Sequence, residues 1–324
     1  MTSLDHYRDS FLQHLDKIVV LKEPVTLYEP IHYILHLGGK RLRPVFTLMT
    51  CELFGKPHQK ALDAALAVEL FHNFSLIHDD IMDNAPLRRG KKTVHEKWDI
   101  NTGILSGDAT LILAYQLFEN YPPEVFQKLA KLFSITAIEV CEGQQYDIDF
   151  ESREDVTLDE YLHMITNKTA VLLGAAMKMG AIIAEAPVSC QEHIYEFGKN
   201  LGIAFQLQDD YLDAFGNPET FGKQVGGDII ENKKTFLYLR AIHNLNEGNA
   251  KMLEHLFSIY PKNPEDKIEA VKKIYEDSGA KEDSIQEIKK YTQKAIESLD
   301  AVAISEEGKS QLKTFANDLI NRVI

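Results

Sequence analysis

No run of eighteen apolar residues occurs, so no segment reads as a membrane-spanning helix, and no amphipathic stretch stands out as a membrane anchor. The opening segment "MTSLDHYRDSFLQHLDKI" carries acidic residues and no continuous apolar stretch, which excludes a secretory signal there. Cysteine is scarce: Cys51, Cys141 and Cys190 lie far apart and show no metal-ligand spacing. They read as three small core residues in a reduced, cytoplasmic setting. Positive charge is also short, with 35 Lys and Arg against 49 Asp and Glu and a net charge of −14. Wholesale attraction to nucleic acid or to an anionic membrane is thereby excluded. An anionic ligand needs a local basic patch or a bridging metal. Neither a P-loop nor a GxGxxG turn is present, so a nucleotide is not the expected ligand.

What the chain does have is helical periodicity. Its 324 residues are 44% hydrophobic and 26% charged, enough for a large core. Alternating, strand-like stretches are hard to find. The spacing predicts a long helix from about His58 to Asp83, where "ALDAALAVELFHNFSLIHDD" has strong helix formers and no proline or glycine. Further helices are expected over Leu42–Leu53, Thr102–Tyr121, Pro123–Tyr146, Leu158–Thr166, Ala170–Ile183 and Glu192–Ala214, with about five more from Asp228 onward. "HLGGKRLRP", "NAPLRRGKKT" and "AFGNPETFGKQVGGD" read as loops or helix ends. With no linker, repeat or low-complexity segment, residues 1–324 read as one all-α domain.

Two acidic clusters stand out. "LIHDDIMD" places Asp79, Asp80 and Asp83 after an apolar helix, and "FQLQDDYLD" repeats the spacing with Asp209, Asp210 and Asp213. The first and last aspartates of each cluster fall on nearly one face, about 6 Å apart along the axis. One such cluster is more often a solvated helix face; two at equal spacing favour hard divalent cations, magnesium above all. "DDIMDNAPLRRG" lacks the ligand alternation of a calcium loop. Glu69–His72 is a single Glu-x-x-His pair where a di-iron bundle needs two. Basic residues sit beside the clusters: Lys40, Arg41 and Arg43 in "GGKRLRP", Arg88 and Arg89 in "LRRGKKT", and Lys223, Lys233 and Lys234 in "FGKQVGGDIIENKKT". Arginine forks suit phosphate oxygens, so acids for magnesium beside arginines for phosphate describe a diphosphate site, or two of them.

From Leu37 to Thr235 the chain resembles the trans-type isoprenyl diphosphate synthases of the polyprenyl synthetase family, through "GGKRLRP", "SLIHDDIMD…LRRG", "NKTA", "FQLQDDYLD" and "GK…GGD…KKT" in that order. The resemblance implies a single large helical bundle around a central cavity, a homodimer, and about three magnesium ions per active site. Asp79 and Asp83 would bind two ions and Asp209 a third, with Asp80 and Asp213 assisting as ligands or by orienting basic residues. Arg88, Lys168, Lys223 and Lys233 would contact an allylic diphosphate (dimethylallyl, geranyl or farnesyl). Isopentenyl diphosphate would sit against Gly39, Lys40, Arg43, His72 and Arg89. Thr169 and Gln206 would face the transient allylic cation. Helix geometry agrees in part, since His72 lies about 20° and Gln206 about 60° from the first aspartate of its cluster.

The chain departs from many relatives in reading "NKKTFL" where they carry glycine-lysine-lysine-threonine-leucine-proline, so the local turn differs around Lys233. In the family, bulk four and five residues before the first aspartate limits the growing chain. Here those positions are Ser75 and Phe74, with Phe71 deeper, and a product of fifteen to twenty carbons is expected, twenty slightly favoured. Two rival readings remain: a class I terpene cyclase, whose second metal motif normally differs from DDxxD, and a non-catalytic subunit, which would be expected to lose acidic ligands. None is lost here.

Overall fold

The computed structural model describes residues 4–217 and 225–321. Packing divides the chain into two compact units, Met1–Ala137 with Ala175–Tyr195, and Ile138–Gly174 with Glu196–Ile324. Among the described residues nearly everything regular is helix, as the periodicity predicts. No helix there is long and apolar enough to cross a membrane.

The first unit contains α1 (Leu4–Ile18), α2 (Val25–Leu35), α3 (Leu42–Leu53), α4 (Leu62–Met82), a hairpin of β1 (Leu87–Arg88) and β2 (Lys91–Lys92), α5 (Val94–Lys97) and α6 (Ile100–Phe118). It also holds the start of α7 (Pro123–Ser152) and parts of α9 (Val171–Ile183) and α10 (Val188–Phe215). Helix α4 is its axis: every residue from Ala64 to Phe71 is buried, including Glu69, because this stretch is apolar nearly all round. Helix α6 presents Gly103, Ser106, Gly107, Thr110 and Ala114 as buried positions. A Cβ at Gly103 would lie 2.8 Å from Ile81, and one at Gly107 would collide with the His78 ring. Each helical glycine costs roughly 0.5–1 kcal/mol against alanine, and here it lets two helices touch. The side chain of Asp99 starts α6 by accepting the Thr102 N–H at 2.8 Å. Gly180 of α9 plays the same part against α3, where a Cβ would meet the Thr47 carbonyl and the Cys51 nitrogen.

The second unit holds the rest of α7, α9 and α10, then α8 (Leu158–Ile165), α11 (Gly227–Ile230), α12 (Phe236–Asn244), α13 (Glu247–Leu256), α14 (Glu265–Asp277), α15 (Ala280–Asp300) and α16 (Glu306–Asn321). Its core gathers Phe150, Tyr161, Met164, Ile203, Leu207, Phe236, Val271, Tyr275 and Ile288. Thr157 and Glu160 form a reciprocal capping box that opens α8.

Three expectations need correction. "LRRGKKT" is a hairpin, not a loop: Arg89 and Gly90 both take positive φ (54° and 72°), the two-residue turn that matches strand twist. Cys141 is exposed on α7 beside exposed Ile138 and Glu142, whereas Cys51 and Cys190 are buried. Helix α7 also runs on to Ser152 rather than ending at Tyr146. The close approach at Gly180 can be checked by urea unfolding. Gly180→Ala is expected to lower stability by about 1–3 kcal/mol. Gly248→Ala, where the nearest atom to an added Cβ would lie 3.5 Å away, should be neutral or stabilising. Equal midpoints for the two variants would remove the packing argument.

Candidate active site

In the first unit the aspartates of α4 divide their roles. Asp80, 1% exposed, accepts from Arg88 Nε at both oxygens (2.9 and 2.8 Å). Arg88 Nη2 lies 2.7 Å from Asp80 and 3.3 Å from Asp79. Burial pushes the Asp80 carboxyl up while the hydrogen bonds and charge of Arg88 pull it down. Burial also opposes the charge on Arg88, yet its acidic partners hold its guanidinium above the ordinary value. Asp79 remains partly exposed, and Asp83, at the C-terminal cap of α4, is exposed. The sequence treats the three alike; the helix turns Asp80 inward and leaves the other two toward water.

A second group lies beside it. Arg41 is buried in a left-handed conformation (φ 53°), where it pairs with Glu69 and the Leu35 carbonyl. Asn73 donates to the Glu69 carboxylate at 3.2 Å, so Glu69 belongs to this network and not to a metal. Arg43 and Arg89 pair with no carboxylate among the described residues. Arg43 Nη1 donates to His72 Nε2 at 3.3 Å, and its Nε is buried without a partner. Arg89 donates to the Gly38 carbonyl. Gly39 sits under the Arg89 guanidinium with φ 124°, and a Cβ there would lie 2.9 Å from it, so glycine is required on both counts. Lys40 is exposed at the rim. Burial, then the charges of Arg43, Arg89, Arg88 and Arg41, hold the His72 pKa well below its ordinary value. His72 is therefore a neutral acceptor for Arg43, and no carboxylate is hydrogen-bonded to either Arg43 or Arg89 among the described residues.

The second unit assembles its own set. Lys168 and Thr169 lie on a π-helical turn, Thr166–Ala170, between α8 and α9. Gly143 of α7 and Gly202 of α10 press on it, and Cβ atoms there would come 2.7 Å from Lys168 Cα and Ala170 Cα respectively. Lys168 Nζ bonds Asp147 at 2.6 Å. Thr169 donates to Gln206 Oε1 at 3.2 Å, and Gln206 donates to Asp210 at 3.1 Å. Asp210 is buried and also accepts from the Tyr161 hydroxyl, while Asp209 is partly exposed. Asp213 accepts the Asp228 N–H at 3.0 Å and so ties α10 to the turn at Asp228. Lys233 is exposed and pairs with Glu231 at 3.0 Å; burial of the ammonium opposes its charge, but Glu231, Asp228 and Asp147 together raise its pKa. Lys223 lies outside the described residues. Sequence reasoning misses Asp147, Tyr161 and Asp228. "GGD" offers a signal for Asp228, but nothing local marks the partners of Lys168 and Asp210.

The expected chain-length residues sit in the first unit. Phe74 packs against Phe71 and His78 (ring centroids 5.6 and 4.8 Å), and Phe71 continues to Phe133 at 5.2 Å. Ser75 turns its hydroxyl to the His72 carbonyl at 2.8 Å.

Among the described residues no three acidic, histidine or cysteine side chains converge into a preformed metal cage. Asp79 and Asp83 in the first unit, and Asp209 in the second, are each accessible carboxylates of the kind magnesium uses when water and substrate oxygens complete its shell, so these donors fit the ion.

A helical fold with two DDxxD clusters, and arginines that no carboxylate pairs with, is the pattern expected of a diphosphate-handling synthase. The chain belongs to the polyprenyl synthetase family, which it matches over residues 24–277. It is 42% identical over 230 residues to a geranylgeranyl diphosphate synthase of Methanosarcina mazei, covering 70% of this chain and 71% of that one. A crystal structure of a geranylgeranyl pyrophosphate synthase superposes with a TM-score of 0.96 at 54% identity, over 99% of each chain. The geranylgeranyl pyrophosphate synthase of Corynebacterium glutamicum, complexed with isoprenyl diphosphate and magnesium, gives 0.85 at 28% identity over 98% of each chain.

A buried and a half-buried acid of the second unit predict a pH effect. Burial above all raises Asp210 and Asp228 beyond the usual carboxylate range, and their acidic neighbours add to it. A carboxyl raised on folding binds its proton more tightly in the native state, so stability falls as pH climbs towards and through neutrality. The melting temperature of metal-free protein should therefore rise between about pH 8 and about pH 6, and Asp210→Asn should flatten that rise. An unchanged slope in the variant would mean that Asp210 is ionised in the fold.

Proposed function

We propose that the protein is a short-chain trans isoprenyl diphosphate synthase that joins isopentenyl diphosphate to an allylic diphosphate and releases diphosphate. The observation that carries this reading is the pair of arginines, Arg43 and Arg89, left without carboxylates around Gly39 and a neutral His72. In a chain of net charge −14, two neighbouring arginines without a carboxylate hydrogen-bonded to either suit an anion. Isopentenyl diphosphate is assigned there, with Lys40 at the rim.

The allylic diphosphate is assigned to Arg88, Lys168 and Lys233, with Lys223 as a further candidate from sequence. As the allylic carbon–oxygen bond breaks, negative charge grows on the departing diphosphate, and fixed cations stabilise it. Magnesium would be held by Asp79, Asp83 and Asp209 and would supply Lewis-acid stabilisation of that same charge. The Thr169 and Gln206 dipoles face the positive charge left on carbon. Isopentenyl diphosphate attacks through its double bond, and a proton then leaves to the released diphosphate. Asp80 orients Arg88, and Asp147 orients Lys168, so neither is assigned a metal.

The relatives named as geranylgeranyl diphosphate synthases support a twenty-carbon product. We place the first limit on chain growth at Phe74, backed by Phe71 and Phe133. A homodimer is supported by exposed Ile100, Ile104, Leu105 and Ile112 on α6, an apolar run a partner subunit would cover. A cytoplasmic location accords with the reduced cysteines.

Purified protein incubated with magnesium, isopentenyl diphosphate and each allylic primer should give elongated products; no elongation with any primer overturns the proposal. Asp79→Ala and Asp209→Ala should each cut kcat/KM by about a hundredfold or more with the helical spectrum intact. Rates near wild type would reject those two as ligands. Phe74→Ala should shift products to longer chains, and an unaltered distribution would move the limit elsewhere.

A further inference from the structure

Lys267, on the first turn of α14, is 3% exposed. Among the described residues it pairs with no carboxylate: its ammonium donates to the Asn232 side-chain oxygen and to the Ile259 carbonyl at 3.1 Å. The rings of Phe257 and Tyr260 lie 5.6 and 5.8 Å away. Burial lowers its pKa, with no acidic group to offset the effect. A buried charge held only by neutral oxygens is costly, and a hydrocarbon side chain could fill the same volume without that cost.

Its partner is equally unusual. Asn232 lies just past α11 in the left-handed region, with φ 60°. Its N–H bonds the Ile229 carbonyl at 3.3 Å, and the Lys233 N–H bonds the Asp228 carbonyl at 2.9 Å. These two bonds make a Schellman turn, whose left-handed position favours glycine. Asparagine tolerates that position, and here its side chain is put to use. Oδ1 receives Lys267, and Nδ2 reaches the Ile259 carbonyl at 3.5 Å. One residue later the chain presents Lys233. The other end of the turn is fixed too: Gly226 (φ 85°) packs under Ile268, the residue after Lys267, and its N–H bonds the Asp213 carbonyl at 2.6 Å.

We propose that Lys267 and Asn232 form a latch between α14 and the turn after α11, and that the latch is a positioning device for Lys233. Lys267 touches no substrate; it acts through Asn232. The inference rests on the reading that Lys233 meets the allylic diphosphate, and it adds a residue 34 positions downstream to the determinants of that contact.

Two variants separate positioning from bulk stability. Asn232→Gly keeps the turn, because glycine suits its φ, and removes the hook. Lys267→Met keeps the volume and removes the donor. In steady-state assays each should raise KM for the allylic diphosphate about threefold to tenfold and leave KM for isopentenyl diphosphate within about twofold. The double variant should be no worse than the more affected single one, because both remove one interaction. Unchanged allylic KM in both variants, or an equal rise for the two substrates, overturns the latch. Hydrogen exchange reads it without turnover: amides of Lys233 and Thr235 should exchange at least about tenfold faster in either variant. Equal exchange rates refute the latch, whereas absent wild-type turnover with faster exchange in the variants refutes the functional reading and leaves the latch standing.

Discussion

The structure turns on carboxylates held where a helix least favours them. Asp79, Asp80 and Asp83 close α4, and Asp209, Asp210 and Asp213 fall in the last two turns of α10. The C-terminal end of a helix carries partial negative charge, so each acid there is opposed by the backbone as well as by its neighbours. Each unit ties down part of its cluster. Arg88 neutralises Asp80 bidentately; Tyr161 and Gln206 hydrogen-bond Asp210 while its raised pKa relaxes its charge; the Asp228 N–H ties down Asp213. The other three, Asp79, Asp83 and Asp209, keep access to water.

This pattern explains how much the sequence could show. Period 3.6 located the helices, and the repeated DDxxD located the clusters, because both are local. Adjacent aspartates are identical in sequence yet about 100° apart on the helix, so one becomes an Arg88 partner and the next faces water. That division depends on the hairpin carrying Arg88, whose turn rests on the positive φ of Arg89 and Gly90. Arg41 and Arg43 show the same limit. Two residues apart in one motif, they differ because Arg41 finds Glu69 and Arg43 finds only His72. Which of two arginines stays available is a question about a partner on another helix. Asp147 and Tyr161 were beyond local reading for the same reason.

Glycine does related work at a distance from the charges. Gly143 and Gly202 admit the π-helical turn that carries Lys168 and Thr169, and Gly39 admits the Arg89 guanidinium. In each case a missing Cβ sets where a cation or a dipole can stand. A π-turn inserts one extra residue, which rotates the rest of the helix and allows Lys168 to reach Asp147 while Thr169 reaches Gln206.

The apolar part of α4 answers to the same constraint. Its residues from Ala64 to Phe71 are all buried, and packing together with the buried Glu69–Arg41 pair fixes the helix's rotation. The helix then has no freedom to turn its aspartates away from their own repulsion. Gly103 and Gly107 of α6 strengthen this by interlocking with Ile81 and His78, the side chains that bracket Asp79 and Asp80. Rigid packing on one side of a helix end and concentrated charge on the other are therefore one arrangement. The first supplies the stability that the second consumes.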